Sequence, residues 1–143
     1  MINEKLYSAC INGNYKNVVT YLSNGANINY INNDNTDLLY AASIHNHKKI
    51  VDYLLKKKIS VHHNNCIMNN NLLQIVIFND SIDIFKKLIY SGINPEMLHN
   101  NITPFIYACL YDNIEIVKIL LTFKININHH TNNANGLLLA VEK

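Results

Sequence analysis

From Thr103 to Asn128 the chain reads TPFIYACLYDNIEIVKILLTFKININ, and its apolar positions follow a helical period, break, and resume. Phe105, Ala108 and Cys109 fall at i, i+3 and i+4, one face of a short helix. Thr103 is a favoured N-cap, and Pro104 follows at the first helical position, where a missing N–H costs nothing. Asp112-Asn113 breaks that helix, and Asn113 can cap a second one in which Ile116, Val117, Leu120 and Leu121 form another apolar stripe. Two helices this short cannot bury their apolar faces alone, so the pattern predicts neighbours of the same kind.

The rest of the chain supplies them. The small or apolar residue inside each first helix falls at Ala9, Ala42, Val76, Ala108 and Ala140, at spacings of 33, 34, 32 and 32, which is a repeat. The residue that turns the chain between helices falls at Gly13, Asn46, Asp80 and Asp112, all types that tolerate a left-handed backbone. First-helix caps are expected at Asp37, Asn71, Thr103 and Asn135, and second-helix caps at Asn14, His47, Ser81 and Asn113, of which only the histidine is unusual. The second helices carry Val18 with Tyr21-Leu22, Ile50-Val51 with Leu54-Leu55, Ile84-Phe85 with Leu88-Ile89, and Ile116-Val117 with Leu120-Leu121. Each ends in an exit segment: GANIN from Gly25, KISVH from Lys58, GINPE from Gly92 and KININ from Lys124. A left-handed residue after a helix suits glycine, and lysine there costs about 1 kcal/mol. The second and fourth repeats are therefore predicted to be less tightly terminated. The polar stretches Tyr30–Thr36, His62–Asn70, Met97–Ile102 and His129–Ala134 have the composition of projecting hairpin loops.

TPFIYAC, DNIEIVKILL and KININ resemble the ankyrin repeat pattern TPLHxAA, GHxxIVxxLL and GAxxN. The resemblance covers the chain as one domain, residues 1–143, with repeats near 3–30, 31–63, 64–96 and 97–128 and a partial fifth over 129–143. The fourth repeat is the nearest to the pattern, and the third, with NLLQIVIF in its first helix, departs furthest. Tyr7, Tyr40, Gln74 and Ile106 stand where the family has a histidine bonded to threonine, so that clasp is expected to be absent and local rigidity reduced. The resemblance implies an all-α fold, an ankyrin-type α-solenoid of stacked helix-turn-helix repeats with projecting hairpin loops.

Composition narrows the functional classes. A net charge of +2 with all 12 basic residues lysine is too weak to predict a nucleic-acid or membrane partner. Heavy use of Asn, Ile, Lys and Tyr reads as AT-rich coding rather than chemistry. Cys10, Cys66 and Cys109 show no paired or metal-type spacing, which points to a reducing compartment. The N-terminal MINEKLYSAC has no secretory pattern and no apolar run approaches a membrane span. The chain is thus expected inside a cell, in the cytoplasm, with expression in or delivery into a host cell left open. The triplets at Asn79 and Asn101 then read as accidental glycosylation matches. Leu137, Leu138, Leu139 and Val141 have no second helix to cover them. Either this half-repeat is an imperfect lid, or the natural chain is longer.

No chemistry-bearing constellation emerges. His62-His63, His99 and His129-His130 lie in loops, where adjacent imidazoles diverge and no carboxylate or cysteine pattern joins them, so no metal site is expected. Lys48-Lys49, Lys56-Lys57-Lys58 and Lys86-Lys87 read as solvated helix faces. No nucleophile–base set or glycine-rich phosphate loop is present. The expectation is a non-catalytic protein without cofactor.

The informative column lies just before each inter-helix turn: Ile11-Asn12, Ile44-His45, Phe78-Asn79 and Leu110-Tyr111. The resemblance places these positions on the concave side of an array, where they are usually polar. Here the first of each pair is apolar. Ile11, Ile44, Phe78 and Leu110, with Tyr107 and Tyr111 nearby, either form an exposed binding stripe or fold under the hairpins as core. With the loop-tip residues Asn33 and Asn100 they make the candidate site for a protein partner. Two alternatives stand beside this scaffold role. One is a substrate-recruiting adaptor portion of a longer enzyme or ubiquitin-ligase-type protein. The other is a structural module that self-associates weakly through its exposed C-terminal helix.

Overall fold

The computed structural model of the chain describes residues 1–61 and 72–129. The loop at His62–Asn70 with Cys66, the cap Asn71, His130, and the partial fifth repeat with its cap Asn135 and its leucines lie outside the described residues. The described residues hold eight helices, and the chain divides into two compact units, Met1–Leu72 and Leu73–Lys143.

In the first unit α1 (Ile2–Ile11) and α2 (Tyr15–Ser23) form one helix pair, and α3 (Leu38–Ile44) and α4 (Lys48–Lys56) form the next. First helix packs on first helix and second on second, α1 against α3 and α2 against α4. Leu6, Cys10, Val18, Leu39, Ala42, Ile50 and Leu54 fill the space between them. In the second unit the pairs are α5 (Leu72–Phe78) with α6 (Ile82–Tyr90) and α7 (Pro104–Leu110) with α8 (Ile114–Leu121). There α8 packs on both α7 and α6, and Leu73, Val76, Phe85, Leu88, Ile116 and Leu120 are buried. The architecture is an all-α repeat.

Local chemistry accounts for the repeat. Gly13, Asn46, Asp80 and Asp112 adopt φ of +69°, +57°, +51° and +55°, so all four inter-helix turns are left-handed. The next N–H in each bonds back into the first helix, as His47 to Ala42 and Asn113 to Ala108, both at 2.9 Å. Asp37 accepts from the Tyr40 N–H at 2.7 Å and Thr103 from that of Ile106 at 3.2 Å, so both cap as expected. Asn14 and Asn113 cap the second helices in the same way. His47 and Ser81 occupy the corresponding positions without a side-chain cap bond. The His47 ring is engaged elsewhere, and the Ser81 hydroxyl turns to the Asn79 carbonyl at 3.4 Å.

The exits divide in a way that corrects one expectation. Gly25, Lys58 and Gly92 are left-handed, at φ +85°, +58° and +102°. The residue after each donates to the carbonyl five residues back, with Ala26 to Tyr21, Ile59 to Leu54 and Ile93 to Leu88. This closure satisfies an otherwise orphaned helix-end carbonyl. Lys124 is not left-handed. Helix α8 stops at Leu121, Phe123 donates to Leu120, and Ile125 donates to Phe123. The fourth repeat ends its helix early, and its lysine carries no left-handed strain. Leu121, expected in the buried stripe, is 54% exposed; within each unit one second helix packs on the other, α2 on α4 and α6 on α8, and no described helix follows α8.

Asparagine proves structural rather than a passive product of coding. Asn27, Asn94 and Asn126 each accept from the N–H two residues on, at 2.9–3.0 Å, closing a side-chain turn after the exit. Asn3 accepts from the Asn27 N–H within the first repeat, and two further side chains bridge repeats, Asn29 accepting from the Ser60 N–H and the carboxylate of Glu96 from that of Asn126.

Candidate functional site

The residues before the four turns differ in placement. Ile11 and Ile44 end α1 and α3 half-buried, with Asn12 and His45 exposed beside them. Phe78 is 60% exposed and Leu110 40% exposed at the ends of α5 and α7, with Asn79 and Tyr111 also exposed and Tyr107 half-buried. The loop residues Asn33 and Asn100 are exposed. Asn33 sits in a hairpin closed by an Ile31–Asp37 bridge, and Asn100 at the tip of one closed by His99–Ile102. Asn100 is left-handed at φ +52° and donates to the His99 ring at 3.2 Å.

The structure gathers three of these residues. The Phe78 ring meets Tyr111 edge to face, centroids 5.3 Å apart and planes at 89°. Tyr107 backs Tyr111 at 4.8 Å and 35°. Desolvation, and then a hydrogen bond with Tyr111, raise the Tyr107 phenol above its ordinary value. The Asn113 amide donates to Asp80 at 2.9 Å, tying the two turns of the unit together. The first unit has no such cluster among the proposed residues. Its turns are joined instead by His47, whose Nε2 donates to the Ile11 carbonyl at 2.7 Å while its ring stacks at 6.0 Å from that of His45.

Three arrangements escaped the sequence reading. The expected absence of the threonine–histidine clasp holds in its atoms, but other groups take its place. The Tyr7 hydroxyl reaches Thr36 at 2.6 Å, and because Thr36 donates to Asn32 at 2.9 Å, Tyr7 is the donor to Thr36. Gln74 donates to the Ile102 carbonyl at 3.2 Å and, more weakly, to that of Met97 at 3.4 Å. Both side chains hold the following hairpin, so the reduced local rigidity expected there is offset by different chemistry. The third is an apolar surface on the second helices. Tyr90 and Ile114 are 70% and 66% exposed and border a shallow cavity of about 550 Å³ with Glu115, Lys118, Ile119 and Thr122. Glu115 of this lining pairs with Lys86 at 2.8 Å. Tyr length in place of histidine could have signalled the first; nothing local signals the cavity.

The two described cysteines lie in the interior. Burial, joined by the charge of Asp37, pushes the Cys10 thiol up to about 12, and burial also raises Cys109. Both are buried free thiols, the opposite of an activated nucleophile. Among the described residues no three His, Cys, Asp or Glu side chains gather as metal ligands, and no helix is long and apolar enough to cross a membrane.

Residues 6–98 and 72–143 match the family described as ankyrin repeats in three copies. A curated sequence of Fowlpox virus (strain NVSL), named as an ankyrin repeat protein, is 31% identical to this chain over 124 residues. The match takes in 83% of this chain and 36% of the viral sequence, so the chain spans about a third of that relative's length.

Proposed function

Because the chain belongs to the ankyrin repeat family, whose members are generally protein–protein interaction modules and typically non-catalytic, we propose that it is a scaffold for a protein partner. The partner is gripped through the residues before the turns (Ile11, Asn12, Ile44, His45, Phe78, Asn79, Tyr107, Leu110, Tyr111) and the loop tips Asn33 and Asn100. The observation that carries this is the exposed aromatic cluster of Phe78 and Tyr111 beside Leu110. Large apolar groups left in solvent by helices otherwise well buried are what an interface uses as anchors. Helix stacking holds these groups in place before binding, so less ordering free energy opposes association. The scaffold works inside a cell, where Cys10 and Cys109 stay reduced.

The test is affinity capture from the native cell with the wild-type chain and with the Phe78→Ser/Leu110→Ser double variant. The variant is expected to lose the partner while its far-UV circular dichroism is unchanged. Retention of the partner by the folded variant would remove these residues from the site.

A second reading, the substrate-recruiting adaptor portion of a longer protein, is supported by the chain's spanning about a third of its viral relative. It requires the captured partner to become covalently modified in cells only when the aromatic cluster is intact. An unmodified partner leaves the plain scaffold.

A further inference from the structure

Two exposed rings of the second unit, Phe78 and Tyr111, stand at the ends of first helices whose nearest charged neighbours in sequence are acidic. Residues 72–81 and 104–113, the first helices and the turns that end them, contain two charged side chains, Asp80 and Asp112. The unit's described lysines, Lys86, Lys87, Lys118 and Lys124, all belong to the second helices or the last exit. A chain of net charge +2 thus offers its aromatic cluster on a surface of opposite sign. Asp80 and Asp112 are exposed; Asp80 lies two residues after Phe78 and Asp112 one residue after Tyr111. In the first unit the equivalent turn residues are Gly13 and Asn46, which carry no charge.

Phe78 and Tyr111 meet edge to face at 89°, so their ring planes make a corner, with Tyr107 against Tyr111 and both Phe78 and Tyr111 exposed. Aromatic faces carry partial negative charge and attract a cation within about 6 Å of the ring centre. A guanidinium stacks flat on such a face and still presents N–H donors to carboxylates at its edge.

We infer that the corner formed by Phe78, Tyr111 and Tyr107, flanked by Asp80 and Asp112, receives an arginine or lysine side chain presented by the protein partner. The inference rests on the scaffold reading and gives it a partner chemistry: a basic segment rather than a purely apolar one. Long-range attraction to the two carboxylates steers that segment, and the rings hold its cation.

The probe is a set of blocked tripeptides, glycine–X–glycine with X arginine, lysine or glutamine, titrated into isotope-labelled full chain and followed by NMR. The arginine and lysine peptides are expected to shift the Phe78, Tyr107 and Tyr111 ring resonances, and the glutamine peptide to leave them in place. The Asp80→Asn/Asp112→Asn variant keeps residues that tolerate the left-handed turn, so it folds, and it should bind the arginine peptide about threefold more weakly. Equal shifts with glutamine, or unchanged binding by the asparagine variant, overturn the inference. If the peptides show no charge preference while the Phe78→Ser/Leu110→Ser variant still loses its partner, the cation site falls and the scaffold reading stands. If the charge preference is found and that variant keeps its partner, the corner binds a cation that the partner does not present, and the inference falls together with the scaffold reading of this face.

Discussion

The imidazole of His47 fills the space into which a side chain on Gly13 would project. A Cβ on Gly13 would lie 2.6 Å from Cε1 and 2.7 Å from Nδ1 of that ring, while the same ring is held by the Ile11 carbonyl at 2.7 Å. Glycine is thus favoured at this turn by its φ of +69°, a region that Asn46, Asp80 and Asp112 also adopt at the equivalent turns, and is singled out by its neighbour in the next repeat.

Those two requirements can be separated. Gly13→Ala is expected to destabilise the chain by about 2 kcal/mol or more, from left-handed strain plus the clash. His47→Ala alone loses one hydrogen bond, about 1 kcal/mol. In the double variant the clash is gone and only the strain remains, so the two effects should sum to less than their separate values. Urea denaturation of the four proteins measures the coupling, and strict additivity would mean that the ring simply moves aside.

The two lysine exits should respond in opposite directions to glycine. Lys58→Gly relieves a left-handed lysine and is expected to gain about 1 kcal/mol. Lys124→Gly relieves nothing, since that backbone is not left-handed, and loosening the unfolded chain should cost about 0.5 kcal/mol. Thermal melts of the two variants decide the matter; a gain at Lys124 comparable to that at Lys58 would show that the fourth exit is closed like the others.

Removing the replacement clasps should have unequal effects. Tyr7→Phe loses the 2.6 Å bond to Thr36, but Thr36 keeps its bond to Asn32, so no buried group is orphaned and the cost is about 1 kcal/mol. Gln74→Leu gives up bonds of 3.2 and 3.4 Å. It also removes a buried Oε1 that has no hydrogen-bond partner among the described residues. Its expected change is within about 0.5 kcal/mol of zero, by the same principle. Shifts in urea midpoint at unchanged slope report both.

Cys10 gives the stability a dependence on alkaline pH. Its thiol is raised from 9.0 to about 12 in the folded chain, so the folded state favours the protonated form. The stabilisation is fully present below the unfolded value and is lost as pH rises through the folded one. Urea midpoints should therefore fall more steeply between about pH 9 and 12 for the wild type than for Cys10→Ala. Iodoacetamide at neutral pH should leave Cys10 and Cys109 unmodified until denaturant is added, as peptide mass spectrometry would show; rapid native labelling would contradict their burial.

Much of the repeat is readable from residue types alone, because its punctuation is local. A left-handed turn at Gly13, Asn46, Asp80 and Asp112 and caps at Asp37 and Thr103 depend on backbone sterics and on side chains that reach their own helix. Those properties travel with the sequence wherever it packs. The asparagine turns at Asn27, Asn94 and Asn126 are local in the same sense, and were obscured only because asparagine is so abundant in the chain.

Tertiary structure decided everything that depends on what stands opposite. His47 looks like a poor cap and is instead a clasp, because the Ile11 carbonyl of the preceding repeat lies within its reach. Lys58 and Lys124 occupy the same place in the pattern, and only one is forced left-handed. Ile11, Ile44, Phe78 and Leu110 share one column, yet the first two are half-buried and the last two open to solvent. The right-angled contact of Phe78 with Tyr111 joins residues 33 positions apart, a distance over which no single stretch carries information. Local sterics specify where this chain turns; burial, and the side chains that meet across repeats, specify which of its surfaces can bind.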